Sequence, residues 1–235
     1  MSESQAQEKM ARRMIVLVAV LAVLSGVVLA ATIVVRRVVA MRSGPGGAPF
    51  TADAGMRAVL DGMTIPPFEL VDTDGRVVTR ELFQGRWTVL DFMFTNCNMA
   101  CPAMSQNMLD VAERIKRLPV QIVSISVDPV HDTPLALRAY AQSLGTDESQ
   151  WRFLSGDEAT VRSIAVDGLG FSLEDDPANP IDLGDGRSMN NIAHPTRFIL
   201  ITPDVKVAGL YKGLEKKDLD RLVTDLHRIH SRARR

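Results

Sequence analysis

Apolar positions along this chain recur in three ways, and each predicts a different kind of element. Residues 14–35 carry no charge and are interrupted only by Ser25, Gly26 and Thr32. At about 1.5 Å of rise per residue such a run reaches across a hydrocarbon layer of about 30 Å, so it predicts a membrane-spanning helix. Shorter unbroken runs predict buried strands at residues 87–94 (WTVLDFMF), 120–127 (VQIVSISV) and 151–154. Helical spacing of Met104, Met108, Val111, Ala112, Ile115 and Leu118 predicts an amphipathic helix over 102–118. Leu219, Leu222, Val223, Leu226 and Ile229 predict a closing helix over 215–230. Two further helices are predicted, over 134–144 stopped by Gly145, and over 157–166 with Asp157 as its N-cap. Asp74-Gly75 between 67–71 and 76–78 predicts a hairpin, and Pro203-Asp204 separates a second strand pair, 196–201 and 205–211.

These elements divide the chain into a cytoplasmic tail (1–13), an anchor (14–35), a flexible Gly-, Ala- and Pro-rich linker (36–63), one folded domain (64–230) and a basic tail (231–235). Strand, helix, strand, helix, then a strand pair and a helix is an α/β order. Residues 174–191 are an acidic insertion rich in Gly, Pro and Asn. They read as a solvated loop, with a docking face for a basic partner as the alternative.

Composition changes the picture little. The formal net charge is −1, which leaves no footprint for nucleic acid. The apolar run is longer than the roughly 7–15 residues of a signal-peptide core, and Leu29-Ala30-Ala31 is a poor cleavage site. It therefore reads as an uncleaved single-pass anchor. Lys9, Arg12 and Arg13 on one side balance Arg36, Arg37 and Arg42 on the other, so charge does not set the topology. The short tail favours an N-inside orientation, with the domain in the periplasm of a bacterial inner membrane. Glu3 and Glu8 argue against a mitochondrial transit peptide.

The chemistry concentrates in Phe94-Thr95-Asn96-Cys97-Asn98-Met99-Ala100-Cys101-Pro102, which holds both cysteines of the chain. The thiols lie where a strand hands over to a helix. A helix N-terminus favours thiolate over thiol. Pro102 suits the first helical turn. A C-x3-C pair at this place either closes a disulfide or grips a soft metal ion. Two inert buried cysteines would need neither position nor spacing. The dithiol after the first buried strand is the arrangement of a thioredoxin-like fold, a central mixed sheet flanked by helices. In that fold the loop before the 196–201 strand lies beside the dithiol. His194 opens this strand and completes a two-sulfur, one-nitrogen set suited to copper or zinc, with Cu(I) favoured by soft ligands. His227 and His230 read as surface residues. Met93, Met104 and Met108 read as core, and Met99 as an auxiliary thioether or an exposed partner contact.

Three motifs in order, TNCNMACP, SVDPVHDTP (126–134) and AHPTRFILITPD (193–204), resemble the Sco (SenC) family over about residues 64–230. The resemblance implies a membrane-anchored copper chaperone with a thioredoxin-like domain. Cys97, Cys101 and His194 would be its copper ligands, for Cu(I) or Cu(II). Its client would be the dinuclear copper site of a cytochrome c oxidase subunit. A thiol–disulfide reductase or another copper chaperone would be a further partner. The alternative is an extracytoplasmic thiol–disulfide oxidoreductase using Cys97 and Cys101 as a redox dithiol. A peroxiredoxin-like peroxidase lacks its Pro upstream of Thr95. Asn98 and Met99 depart from the family, which usually has Pro after the first cysteine and often an acidic residue in the loop. Asp128 and Asp132 read as turn and helix-cap residues, and His131 as a neighbour of the site. Pro195 is where a thioredoxin-like oxidoreductase would carry a cis-proline.

Overall fold

The computed structural model describes residues 54–184 and 186–233. The expected tail, the anchor at 14–35 and most of the linker lie outside the described residues. The described part is built on a seven-stranded mixed sheet in the order β2-β1-β5-β4-β3-β8-β9. Its strands are β1 (Glu69–Asp72), β2 (Val77–Thr79), β3 (Trp87–Met93), β4 (Val120–Ser126), β5 (Trp151–Ser155), β8 (Arg197–Ile201) and β9 (Val207–Lys212). The middle of the sheet, β3, β4 and β5, is parallel, with β3 and β4 in register from Trp87–Val120 to Met93–Ser126. The flanking pairs β3–β8, β8–β9, β1–β5 and β1–β2 are antiparallel. Unbroken apolar runs become β3 and β4 because both faces of these strands are covered, leaving no place for alternation.

The helices are α1 (Ala54–Gly62), α2 (Cys101–Ile115), α3 (Pro134–Leu144), α4 (Glu158–Arg162) and α5 (Lys216–Ala233). Met104, Met108, Val111 and Ile115 form the buried stripe of α2, and Leu219, Leu222, Val223 and Leu226 that of α5. Each fully buried side chain of this size contributes about 1.5–3 kcal/mol. These two stripes and the central strands therefore hold most of the stability. Asp157 caps α4 as expected, accepting from the Thr160 N–H at 2.9 Å. Gly145 ends α3 at φ +67, a conformation that a side chain would strain.

Four expectations change. Residues 54–62 of the expected linker form α1, held by the buried Leu60, and the two glycines in this stretch had hidden the periodicity. The acidic insertion is a two-stranded sheet, β6 (Glu174–Gly184) against β7 (Arg187–Ala193), with register shifts between Asp176 and Ile181, the stretch holding Pro177 and Pro180, and between Asp182 and Gly184. The strand expected from 205 starts at Val207. Val205 is at φ +61 inside a turn that Thr202 stabilises by accepting from the Lys206 N–H. The closing helix runs on to Ala233, so the basic tail begins as helix.

Candidate metal and dithiol site

Strand β3 delivers the chain to the site. After Met93, whose carbonyl accepts from the Val127 N–H at 2.9 Å, the backbone leaves the sheet through Phe94, Thr95 and Asn96 to Cys97. Helix α2 then begins at Cys101. Its N-cap position is Ala100, which offers no capping side chain. The backbone N–H groups of Met99 and Cys101, just before and at the start of α2, are among the groups that favour the Cys97 thiolate.

Both cysteines are buried and free. The Cys101 sulfur lies 3.2 Å from His194 Nε2. One ligand atom from each of Cys97, Cys101 and His194 lies within 4.8 Å of the others, and this is the one such group among the described residues. The hydrogen bond from the Cys101 thiol, together with bonds from His194 and the two backbone N–H groups, outweighs burial and draws the Cys97 thiol down to about 4. Donation to Cys97, then burial, then the negative charge of Cys97 push Cys101 upward. The pair therefore gives up its first proton readily and its second with difficulty. The Phe94 ring meets the His194 ring edge to face at 5.7 Å between centroids. His194 Nδ1 is buried with no hydrogen-bond partner. The His194–Pro195 bond, where a thioredoxin-like oxidoreductase would carry a cis-proline, is trans, and no described residue carries a cis peptide.

Four residues outside the expected ligand set bear on the site or on the turns beside it. Asp132, fully buried, accepts from the Thr95 N–H at 3.1 Å, the Thr95 hydroxyl at 2.5 Å and the Ser126 hydroxyl at 2.5 Å. It is therefore not the cap of α3: Thr133 is, accepting from the Ala136 N–H. Asp132 instead ties the loop after β4 to the turn that carries Cys97. Asp128 holds its own turn, pairing with His131 Nδ1 at 2.8 Å. His131 is thus held by Asp128 and is not part of the Cys97–Cys101–His194 group. Asp91, in the middle of β3, is nearly inaccessible, and burial raises its carboxyl to about 6 against the Ser124 hydroxyl bond and the charge of His194. Trp151 Nε1 donates at 2.8 Å to that same Ser124 hydroxyl, which in turn donates to Asp91 at 2.5 Å. A single carboxylate in an otherwise apolar strand was the signal for Asp91. Asn191 had none: its amide donates at 3.5 Å to the sulfur of Met99.

The other expected residues fall as follows. Met93, Met104 and Met108 are buried in the core, and Met99 is exposed. His227 lies on the surface with Nε2 at 3.2 Å from the Arg114 carbonyl. Glu174 and Asp175 edge a cleft of about 240 Å³ with Asp128, His131, Glu158 and Met189. Asp176 and Asp182 also lie on β6, and Asp185 is outside the described residues.

The donor set can therefore do two things. Two sulfurs and an imidazole nitrogen fit a soft ion such as copper, because one sulfur ionises easily and the second can ionise once a cation replaces its proton. The same ionised Cys97 beside a protonated Cys101 is a nucleophile with a resolving partner.

A family model described as SCO1/SenC matches residues 60–231. A relative from Stutzerimonas stutzeri, described as a putative copper-binding protein, is 37% identical over 157 residues, covering 66% of this chain and 72% of its own. The crystal structure of a SCO1/SenC family lipoprotein from Bacillus anthracis superposes with a TM-score of 0.64 at 28% identity, over 72% of this chain and 96% of that one. The structure of BsSco superposes with a TM-score of 0.60 at 29% identity, over 72% and 95%. BsSco is described as a member of the Sco family of cytochrome c oxidase assembly proteins with a disulfide switch.

Proposed function

The chain belongs to the SCO1/SenC family, and from that premise we propose that it is a membrane-anchored copper chaperone. It carries copper between Cys97, Cys101 and His194 and hands it to the copper-site subunit of a cytochrome c oxidase. The anchor is residues 14–35, in a bacterial inner membrane, with the domain facing the periplasm. The observation that carries this reading is the gathering of the three ligand atoms within 4.8 Å. The copper-binding description of the Stutzerimonas stutzeri relative supports the metal.

Each residue has a part. Cys97 is the first thiolate, already stabilised by the start of α2. Cys101 gives up its proton when the ion arrives. His194 brings Nε2 to the sulfurs from another segment of the chain, so it is the ligand that can leave. An incoming thiolate of the client would add to the ion, and His194 would be displaced first. The ligand exchange transfers the ion with no change in its oxidation state.

The test uses the full chain, reduced, purified in detergent, loaded with Cu(I) anaerobically and dialysed against a competing chelator. One copper per chain is expected, with Cys97→Ser and Cys101→Ser losing it and His194→Ala weakening it by about tenfold or more, ~1.4 kcal/mol. No retained copper in the native sequence would sink the reading. A second reading, thiol–disulfide exchange, is favoured by the asymmetry of the pair, with Cys97 ionised and Cys101 protonated. In that reading Cys97 attacks the partner disulfide and Cys101 resolves the mixed disulfide. A dithiol that holds no copper but equilibrates readily with glutathione would make it the working account.

A further inference from the structure

We propose that Met99 is a fourth copper ligand, its thioether sulfur joining Cys97, Cys101 and His194. This rests on the copper reading above. Met99 is in the middle of the dithiol loop and is 60% exposed, whereas Met93, Met104 and Met108 are sealed in the core. It is nonetheless not a loose side chain. Its backbone lies two residues after Cys97 and two before Cys101, so the dithiol loop itself fixes its root between the two sulfur ligands. Its thioether accepts from Asn191 Nδ2 at 3.5 Å. Asn191 is only 7% exposed and stands three residues before His194, with its amide also 3.4 Å from the Asp176 carboxylate. The thioether is therefore tethered at both ends to the segments that supply the other ligands: the loop of Cys97 and the β7 end that leads to His194.

The chemistry suits the position. Thioether and thiolate are the soft ligands that select Cu(I). A thioether carries no proton, so it binds without a competing acid equilibrium. The weak bond from Asn191 occupies one lone pair of the sulfur and leaves the other for the ion. The donation forms one sulfur–copper bond and breaks no covalent bond. On the exposed flank of the loop, Met99 can hold the ion while His194 is being displaced. An exposed apolar side chain serving only as a contact for a partner would need no polar tether on its sulfur.

The test is Cu K-edge X-ray absorption on the full chain produced with selenomethionine, loaded with Cu(I) and assayed for metal per chain. The expected spectrum contains one selenium scatterer in the first coordination shell of copper. In the labelled Met99→Leu variant that scatterer disappears, while copper stays at one per chain. Competition against a Cu(I) chelator should show the Leu variant weaker by about tenfold, ~1.4 kcal/mol. One copper per chain with no selenium in its shell overturns the inference and leaves the chaperone reading intact. Selenium that persists in Met99→Leu overturns it by assigning another methionine. Absence of bound copper overturns both, and the metal count identifies that case at once.

Discussion

The sulfur half and the nitrogen half of the site are held in different ways. Cys97 and Cys101 sit on a turn between β3, buried on both faces, and α2, whose apolar stripe fills the core. That turn is secured by Asp132 through Thr95, and the Cys97 sulfur is secured by the backbone of α2 itself. His194 follows directly on the β6–β7 hairpin, where few side chains are buried, Ile181 and Asn191 among them. Its Nδ1 lacks the acceptor that usually fixes a ligating imidazole. A carrier of metal needs both conditions. Two ligands must be preorganised to capture the ion, and one must be cheap to displace.

The most damaging way to break this contrast is at Asp132. Asp132→Ala leaves the Thr95 N–H, the Thr95 hydroxyl and the Ser126 hydroxyl without their acceptor. The Ser126 hydroxyl is buried and Thr95 is half-buried, so at about 1–3 kcal/mol for a fully buried orphan a loss of roughly 3 kcal/mol in unfolding free energy is expected by urea titration of the metal-free protein. Asp132→Asn keeps an acceptor oxygen and should lose less than half as much. If the Ala variant unfolds within about 1 kcal/mol of the native chain, Asp132 does not secure the sulfur half.

A smaller effect is expected at Asp91, whose charge is felt by both His194 and Cys101. Burial lifts its carboxyl to about 6, above the unfolded value of about 3.9. A raised carboxyl means that the native state favours the protonated form. No penalty applies below the unfolded value, and the full penalty applies above about pH 6. The shift of about two units corresponds to at most ~3 kcal/mol. Asp91→Asn keeps a partner for Ser124 and cannot ionise. It should therefore be more stable than the native chain by about 2 kcal/mol at pH 8 and nearly equal to it at pH 4. A difference independent of pH would mean that Asp91 acts through packing alone.

The fold was legible where one force decides. Buried strands and amphipathic helices announce themselves by apolar spacing, so β3, β4, α2 and α5 could be read directly, as could the capping of α4 by Asp157. The dithiol and His194 were legible because the order of elements brings their loops to one end of the sheet. What escaped depends on tertiary contact. Leu60 makes α1 a helix only because it has a core to enter. The β6–β7 pair is polar and proline-interrupted, so its pairing leaves no periodic mark. Asp132 precedes a helix and has the composition of a cap, but Thr133 takes that role and frees Asp132 to reach a turn 37 positions away in sequence. The tether from Asn191 to Met99 spans 92 positions and is a side-chain contact that no local pattern records.

The finest test of the contrast asks how much each half contributes to the Cys97 thiolate. The Cys101 thiol is the leading cause of the drop to about 4, and the bond from His194 is a lesser one. Removing a donor to a thiolate favours the thiol, so both Cys101→Ala and His194→Ala should raise the midpoint at which thiolate absorbance near 240 nm appears. His194→Ala should raise it, and Cys101→Ala should raise it by more. Linkage gives the same ordering by a second route. A thiol with a depressed native value stabilises the fold fully above its unfolded value of about 8.5, and this contribution is lost as pH falls toward about 4. The loss of stability between pH 8 and pH 5 should therefore be largest in the native chain, smaller in His194→Ala and smallest in Cys101→Ala. A larger midpoint shift in His194→Ala than in Cys101→Ala would reverse the contrast. It would make the imidazole the group that organises the site and the second sulfur the one that leaves.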